Sequence, residues 1–102
     1  MPLAAALALS GCATTSAGIE AEPVVATYTS TNAPTVVARC LQEAMPGLDI
    51  ELGDHQVSVS NRNQFGSILM NWLIKETSSG STIELRKTNS IAPGREKATA
   101  CF

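Results

Sequence analysis

The chain has 102 residues, 44% of them apolar, and its seven Lys or Arg against nine Asp or Glu give a formal charge of −2. These residues make one small domain with a modest core and leave no room for a second, and the balanced charge excludes the basic face that nucleic acid binding requires. The first half holds Arg39 alone against Glu20, Glu22, Glu43, Asp49 and Glu51. Such an asymmetry either biases how a partner docks or is an ordinary solvated surface.

The first stretch is apolar from Leu3 to Leu9 and closes on Leu9-Ser10-Gly11-Cys12. It is too short to span a bilayer, which takes roughly 20 residues, but it suits the core of a secretory signal. An apolar residue, two small ones and a cysteine resemble the lipobox of bacterial lipoproteins. The resemblance implies cleavage before Cys12 and acylation of that residue. Residues 1–11 are then a signal peptide, 12–22 a lipid-anchored tether and 23–102 the folded domain. Ala13, where an Asp would retain such a protein in the inner membrane, implies an outer-membrane anchor facing the periplasm, with the inner membrane or the cell surface as alternatives. The Lys or Arg that should precede the apolar core is missing between Met1 and Leu3, which a start upstream of Met1 would explain. The alternative is an Ala-rich terminus with an idle Cys12 thiol. The whole chain also resembles the short two-cysteine periplasmic lipoproteins, a class with no assigned activity.

The small polar residues from Ala13 to Glu22 would reach roughly 17 Å as a flexible tether. Pro23 to Tyr28 is rich enough in β-branched and aromatic residues for a short strand, but its alternation is poor and an ordered arm fits equally. Ser30-Thr31-Asn32 ahead of Pro34 predicts a helix start, because a side-chain oxygen can cap free amides and proline has no N–H to leave unpaired. Val36, Val37, Cys40, Leu41 and Ala44 then form one stripe at helical spacing, and Pro46-Gly47 ends the helix.

Leu48–Leu52 and His55–Ser60 alternate apolar and polar residues around Gly53-Asp54, which predicts a hairpin with Leu52 opposite His55 and with Val57 and Val59 on the face of Leu48 and Ile50. After a polar connection from Asn61 to Ser67, Ile68 to Thr77 reads as a third strand, with Ile68, Met70, Trp72 and Ile74 on one face. Leu69 and Leu73 share its other face with Asn71 and Lys75, so that face is not fully solvated. Ser78-Ser79-Gly80 turns into a fourth strand, Thr82–Thr88, with Ile83 and Leu85 inward. Asn89 to Gly94 is a loop. The expected fold is α+β, a four-stranded antiparallel meander with one main helix on one face.

With Cys12 taken by lipid, Cys40 and Cys101 remain as an even pair in a compartment that permits disulfides. A bridge would bring Arg95–Phe102 back beside the helix, as a short helix or an edge strand. On the chain-entropy model it would stabilise the fold by about 4 kcal/mol.

His55, the single histidine, is the first suspect for acid–base or metal chemistry, but it lies in turn composition and has no second histidine with which to share a metal. Cys40 and Cys101 with His55 would make a nucleophile set only if a thiolate were exposed, and the helix stripe makes them structural instead. Trp72 and Met70 read as core. Two surfaces remain for a partner: the strand face of Leu69, Leu73 and Lys75, and the loop carrying Arg62, Gln64 and Phe65. The serines of 78–81 have no base beside them. These observations point to a non-enzymatic protein with no cofactor and no metal. It would be anchored to the bilayer through acylated Cys12 and would bind an envelope protein as an accessory subunit. The alternative is an inhibitor or immunity protein against a cell-wall lytic enzyme, which would need a protruding polar and aromatic loop.

Overall fold

The computed structural model describes Ile19, residues 21–87 and residues 95–102. Cys12 and the rest of the lipobox, most of the tether, Thr88 and the expected 89–94 loop lie outside the described residues. The elements in order are β1 (Ala26–Ser30), α1 (Pro34–Ala44), β2 (Asp49–Gly53), β3 (Gln56–Arg62), β4 (Ile68–Thr77), β5 (Gly80–Lys87) and α2 (Arg95–Thr99). All strands belong to one sheet in the order β1-β5-β4-β3-β2, and every pairing is antiparallel. The fold is α+β and its meander from β2 to β5 is as expected, but the sheet has five strands rather than four. The extra strand is β1, which pairs with β5 in a register that sets Tyr28 against Ile83. Its half-buried positions are Ala26, Tyr28 and Ser30. Alternation is therefore real from Ala26 onward, but two of the three inward residues are small, which hides the period.

Helix α1 begins with Pro34 in its first turn, and its N-cap is Ala33, without a side-chain cap. The Ser30 hydroxyl instead accepts the Asn32 N–H at 3.0 Å, and the Ser81 hydroxyl donates to the Asn32 carbonyl at 2.6 Å, so the expected capping residues build the turn that precedes the helix. The buried stripe is Pro34, Val37, Ala38 and Leu41. Val36, expected inward, is 49% exposed and Ala44 is exposed as well. Ala38 takes their place because it stands four residues after Pro34 and three before Leu41, the spacing of a single helix face.

The hairpin also differs from expectation. Gly53 pairs with Gln56, Leu52 with Val57 and Ile50 with Val59, leaving Asp54 and His55 as the loop. The slip is an even one, so Leu48, Ile50, Val57 and Val59 keep their common face. A pattern of period two cannot distinguish registers that differ by two residues. His55 adopts a positive φ of 59°, and its carbonyl accepts the Glu76 N–H at 2.8 Å.

Val37, Ala38, Leu41 and Leu48 pack over Val57, Val59, Met70, Trp72, Ile74, Ile83 and Leu85, joined by Ala98 and Cys101. Ile68 is buried but stands outside this cluster, since the β3–β4 register shifts between Asn61 and Arg62 and breaks the expected run of four. The opposite face is polar yet covered: Ser60, Asn71 and Leu73 are buried there. The Asn71 amide donates to the Ser58 hydroxyl at 2.8 Å and the Ser60 hydroxyl at 3.0 Å. Arg86 Nε donates to the Glu22 carbonyl at 3.1 Å, drawing the segment ahead of β1 against β5.

Cys40 and Cys101 form a disulfide with a Cα–Cα distance of 5.6 Å and a sequence separation of 61. The return segment is a short helix, and Phe102 beyond it meets Tyr28 of β1 with ring centroids 4.8 Å apart. Replacing both cysteines by serine should lower the unfolding free energy by about 4 kcal/mol on the chain-entropy model. Denaturant unfolding with an unchanged slope would check it, and a loss below about 1 kcal/mol would show that the covering layer holds without the bridge.

Candidate functional site

Chemistry at the surface gathers at the two ends of the sheet. At one end lies the β3–β4 connection, residues 63–67, and Asn63 organises it. Its N–H donates to the Ser67 carbonyl at 2.9 Å, and its own carbonyl accepts the Gly66 N–H at 3.0 Å. Its side-chain Oδ1 accepts two further amides, from Phe65 at 2.9 Å and Ser67 at 3.0 Å. Gly66, at φ 85°, supplies a left-handed backbone that would strain any other side chain.

Arg62 completes the frame. Its Nη1 donates to the Gly66 carbonyl at 2.6 Å while Nε donates to Asp49 Oδ2 at 3.0 Å, linking the loop to the edge strand β2. The loop is thereby fixed on both sides, and what it displays is Gln64 and Phe65, the latter 82% exposed. Of the three expected loop residues, Arg62 is a strut with its charge matched by Asp49, and only Gln64 and Phe65 are presented outward. The display is neutral. An ordered loop of this kind lets a partner bury a phenyl ring without ordering the segment first, which removes a usual cost of association.

At the opposite end, α1 and the β2–β3 hairpin border a cleft of about 440 Å³. Ala33, Pro34, Leu52 and Val57 give it apolar walls, and Asp54, His55, Gln56 and Glu76 give it a polar rim. His55 Nδ1 lies 2.7 Å from Glu76 Oε1 and its Nε2 lies 3.4 Å from Asp54 Oδ1. The imidazole is thus hydrogen-bonded to Glu76 through Nδ1 and is exposed to solvent. Thr35 is the one hydroxyl among the residues bordering the cleft. Among the described residues no group of three or more His, Cys, Asp or Glu could hold a metal ion. No helix among them is long and apolar enough to cross a membrane.

The structure does not bring the sheet-face candidates together as a surface. Leu73 is only 5% exposed, Leu69 is half-buried, and Lys75 pairs with Glu84 at 3.2 Å. Trp72 and Met70 are in the core, and Cys40 and Cys101 are consumed by their bridge. Sequence reasoning missed Asn63 and Asp49, the residues that set the loop. The available signal was Asn63 three positions ahead of Gly66, a pairing suited to a side-chain-closed turn.

Asn63→Ala should cost about 1–2 kcal/mol, since two backbone amides lose their acceptor, whereas Phe65→Ala should change stability by less than about 0.5 kcal/mol. Chemical denaturation of the two variants checks the contrast, and equal losses would mean that Phe65 packs on the domain. No family model, curated protein or solved structure matches the chain, so the functional reading rests on the geometry of this loop.

Proposed function

We propose that the protein is a non-enzymatic binding domain of a bacterial envelope, anchored in the outer membrane through acylated Cys12 and facing the periplasm, where it engages a protein partner through Gln64 and Phe65. The observation that carries the reading is the exposed Phe65 on a loop whose backbone is fixed by Asn63 and Arg62. The anchor rests on Leu9-Ser10-Gly11-Cys12. Arg62 spends its charge within the domain, so the partner site is a pocket for a ring and an amide rather than an acidic patch.

Two versions of binding divide on this geometry. An accessory subunit docked by the sheet face would need Leu73, which is buried. Loop insertion also serves an inhibitor or immunity protein that blocks a lytic enzyme of the cell wall, and the projecting Phe65 favours that version. Truncating an aromatic that fills a pocket typically costs at least about 2 kcal/mol in binding, or about thirtyfold in affinity.

In an assay of wall-degrading enzymes from the same envelope, the wild-type chain should inhibit one of them. Phe65→Ala should weaken that inhibition about thirtyfold, with little dependence on salt because no net charge is presented. Equal potency of wild type and variant would sink the loop reading. The anchor has its own check, since protein isolated from its native membranes should begin at Cys12 with added acyl mass. A chain that is unprocessed would remove the envelope setting.

A further inference from the structure

The two edges of the sheet are chemically unlike. Strand β2, at one edge, carries Asp49 and Glu51, with Asp54 just beyond its end. Strand β1, at the other, reads Ala-Thr-Tyr-Thr-Ser, and no charged residue occurs from Pro23 to Ala38. Among the described residues no strand lies along the outer side of β1. Val24 and Val25, which lead into it, are 39% and 43% exposed. Proteins ordinarily keep such an edge apart with charges, and β1 has none.

The backbone groups that face outward can be assigned. The Leu85 carbonyl points toward β1, because it accepts the Val25 N–H at 2.8 Å, and Ala26 is the residue opposite Leu85. In an antiparallel ladder the N–H and C=O of one residue point to the same side and alternate along the strand. Ala26, Tyr28 and Ser30 therefore direct their groups to β5, whereas Thr27 and Thr29 direct theirs outward. The side chains of both threonines are exposed.

We propose that β1 pairs antiparallel with β1 of a second copy of this chain about a two-fold axis at Tyr28, joining two five-stranded sheets into one continuous sheet. In that register Thr27 of one copy lies opposite Thr29 of the other and Ala26 lies opposite Ser30, so that no charge meets a like charge. The same operation at β2 would set Glu51 against its own copy, and like charges directly opposed on neighbouring strands are destabilising. The β1–β1 contact is isologous and uses the free β1 edge of both copies, so through this edge association closes at a dimer. The shared surface is little more than one strand edge with Val24 and Val25, which places the dimer in the weak class of interfaces. This inference is independent of the loop reading, because Phe65 lies outside the pairing.

The test uses the full chain with Cys12→Ser, so that no lipid aggregates it, in sedimentation velocity over a concentration series reaching the millimolar range. The wild-type edge should show a monomer–dimer equilibrium. T27K/T29K places like charges across both threonine pairs and should weaken dimerisation roughly tenfold or more. Glu84, opposite position 27, is already shared between Lys75 and Arg86 and does not cancel the new charge. T27K/T29E sets opposite charges across the same pairs and should restore the dimer. Circular dichroism and the melting midpoint of each variant separate loss of pairing from loss of fold. A wild-type edge that stays monomeric throughout the series would overturn the proposal and leave β1 to a strand from another protein. Association of T27K/T29K as strong as wild type, or failure of T27K/T29E to recover it, would also overturn it.

Discussion

A five-stranded sheet can bury an apolar face only if something lies over it, and here the described cover is one helix of 11 residues and another of five. Neither is long enough to be helical by itself in water. What makes them a layer is the Cys40–Cys101 bridge, which ties the middle of α1 to the chain just past α2 and sets both over Trp72 and its neighbours. Because Cys101 is followed by Phe102, the same bridge delivers that ring to Tyr28 and so steadies β1 at the far edge. Gly80 acts from the other side. A side chain there would collide with the backbone of Ser30 and Thr31, so its absence lets the turn out of β1 lie close against the start of β5. The bridge over the sheet and the glycine beneath the turn together place the fifth strand.

The parts of this arrangement that the sequence discloses are those written in periodicity. Met70, Trp72 and Ile74 alternate in β4, as do Ile83 and Leu85 in β5, and each of them is in the core. Where two structures share one period, the sequence is silent. The β2–β3 pairing could slide by two residues with no apolar side chain changing face, and what decides it is His55 taking a positive φ with its carbonyl bonded to Glu76. Helix α1 shows a similar ambiguity. Val36 and Ala38 flank Val37, and only the position of the sheet beneath selects Ala38. Strand β1 fails for a different reason: Ala26 and Ser30 are inward but too small to register as apolar.

The candidate loop was legible as residues and not as geometry. Gln64 and Phe65, the polar and aromatic side chains that single the loop out, are both exposed. The sequence groups Arg62 with them as one of the hydrogen-bonding side chains beside an aromatic, yet its guanidinium spans from Asp49 to the Gly66 carbonyl. The two partners are 13 residues before it and four after it. Nothing in a linear reading joins Asp49 to Arg62 until the β2–β3 register is known, so the bracing role of Arg62 is hidden by the same ambiguity as the hairpin.

The two ends of the sheet differ in what their hydrogen bonds accomplish. At the hairpin end, the His55 carbonyl bonded to the Glu76 amide fixes a turn that the strand pairing needs. At the other end, Asn63 and Arg62 hold a connection whose exposed aromatic, Phe65, is not part of the core cluster. A looser link of the same length would join β3 to β4 as well, because loop closure depends only weakly on how the intervening residues are arranged. Ordering five residues costs conformational entropy that the core does not recover from this loop. What the hydrogen bonds fix is the backbone that carries Phe65, so the ring leaves the domain from one defined position, which is what the proposed contact would use.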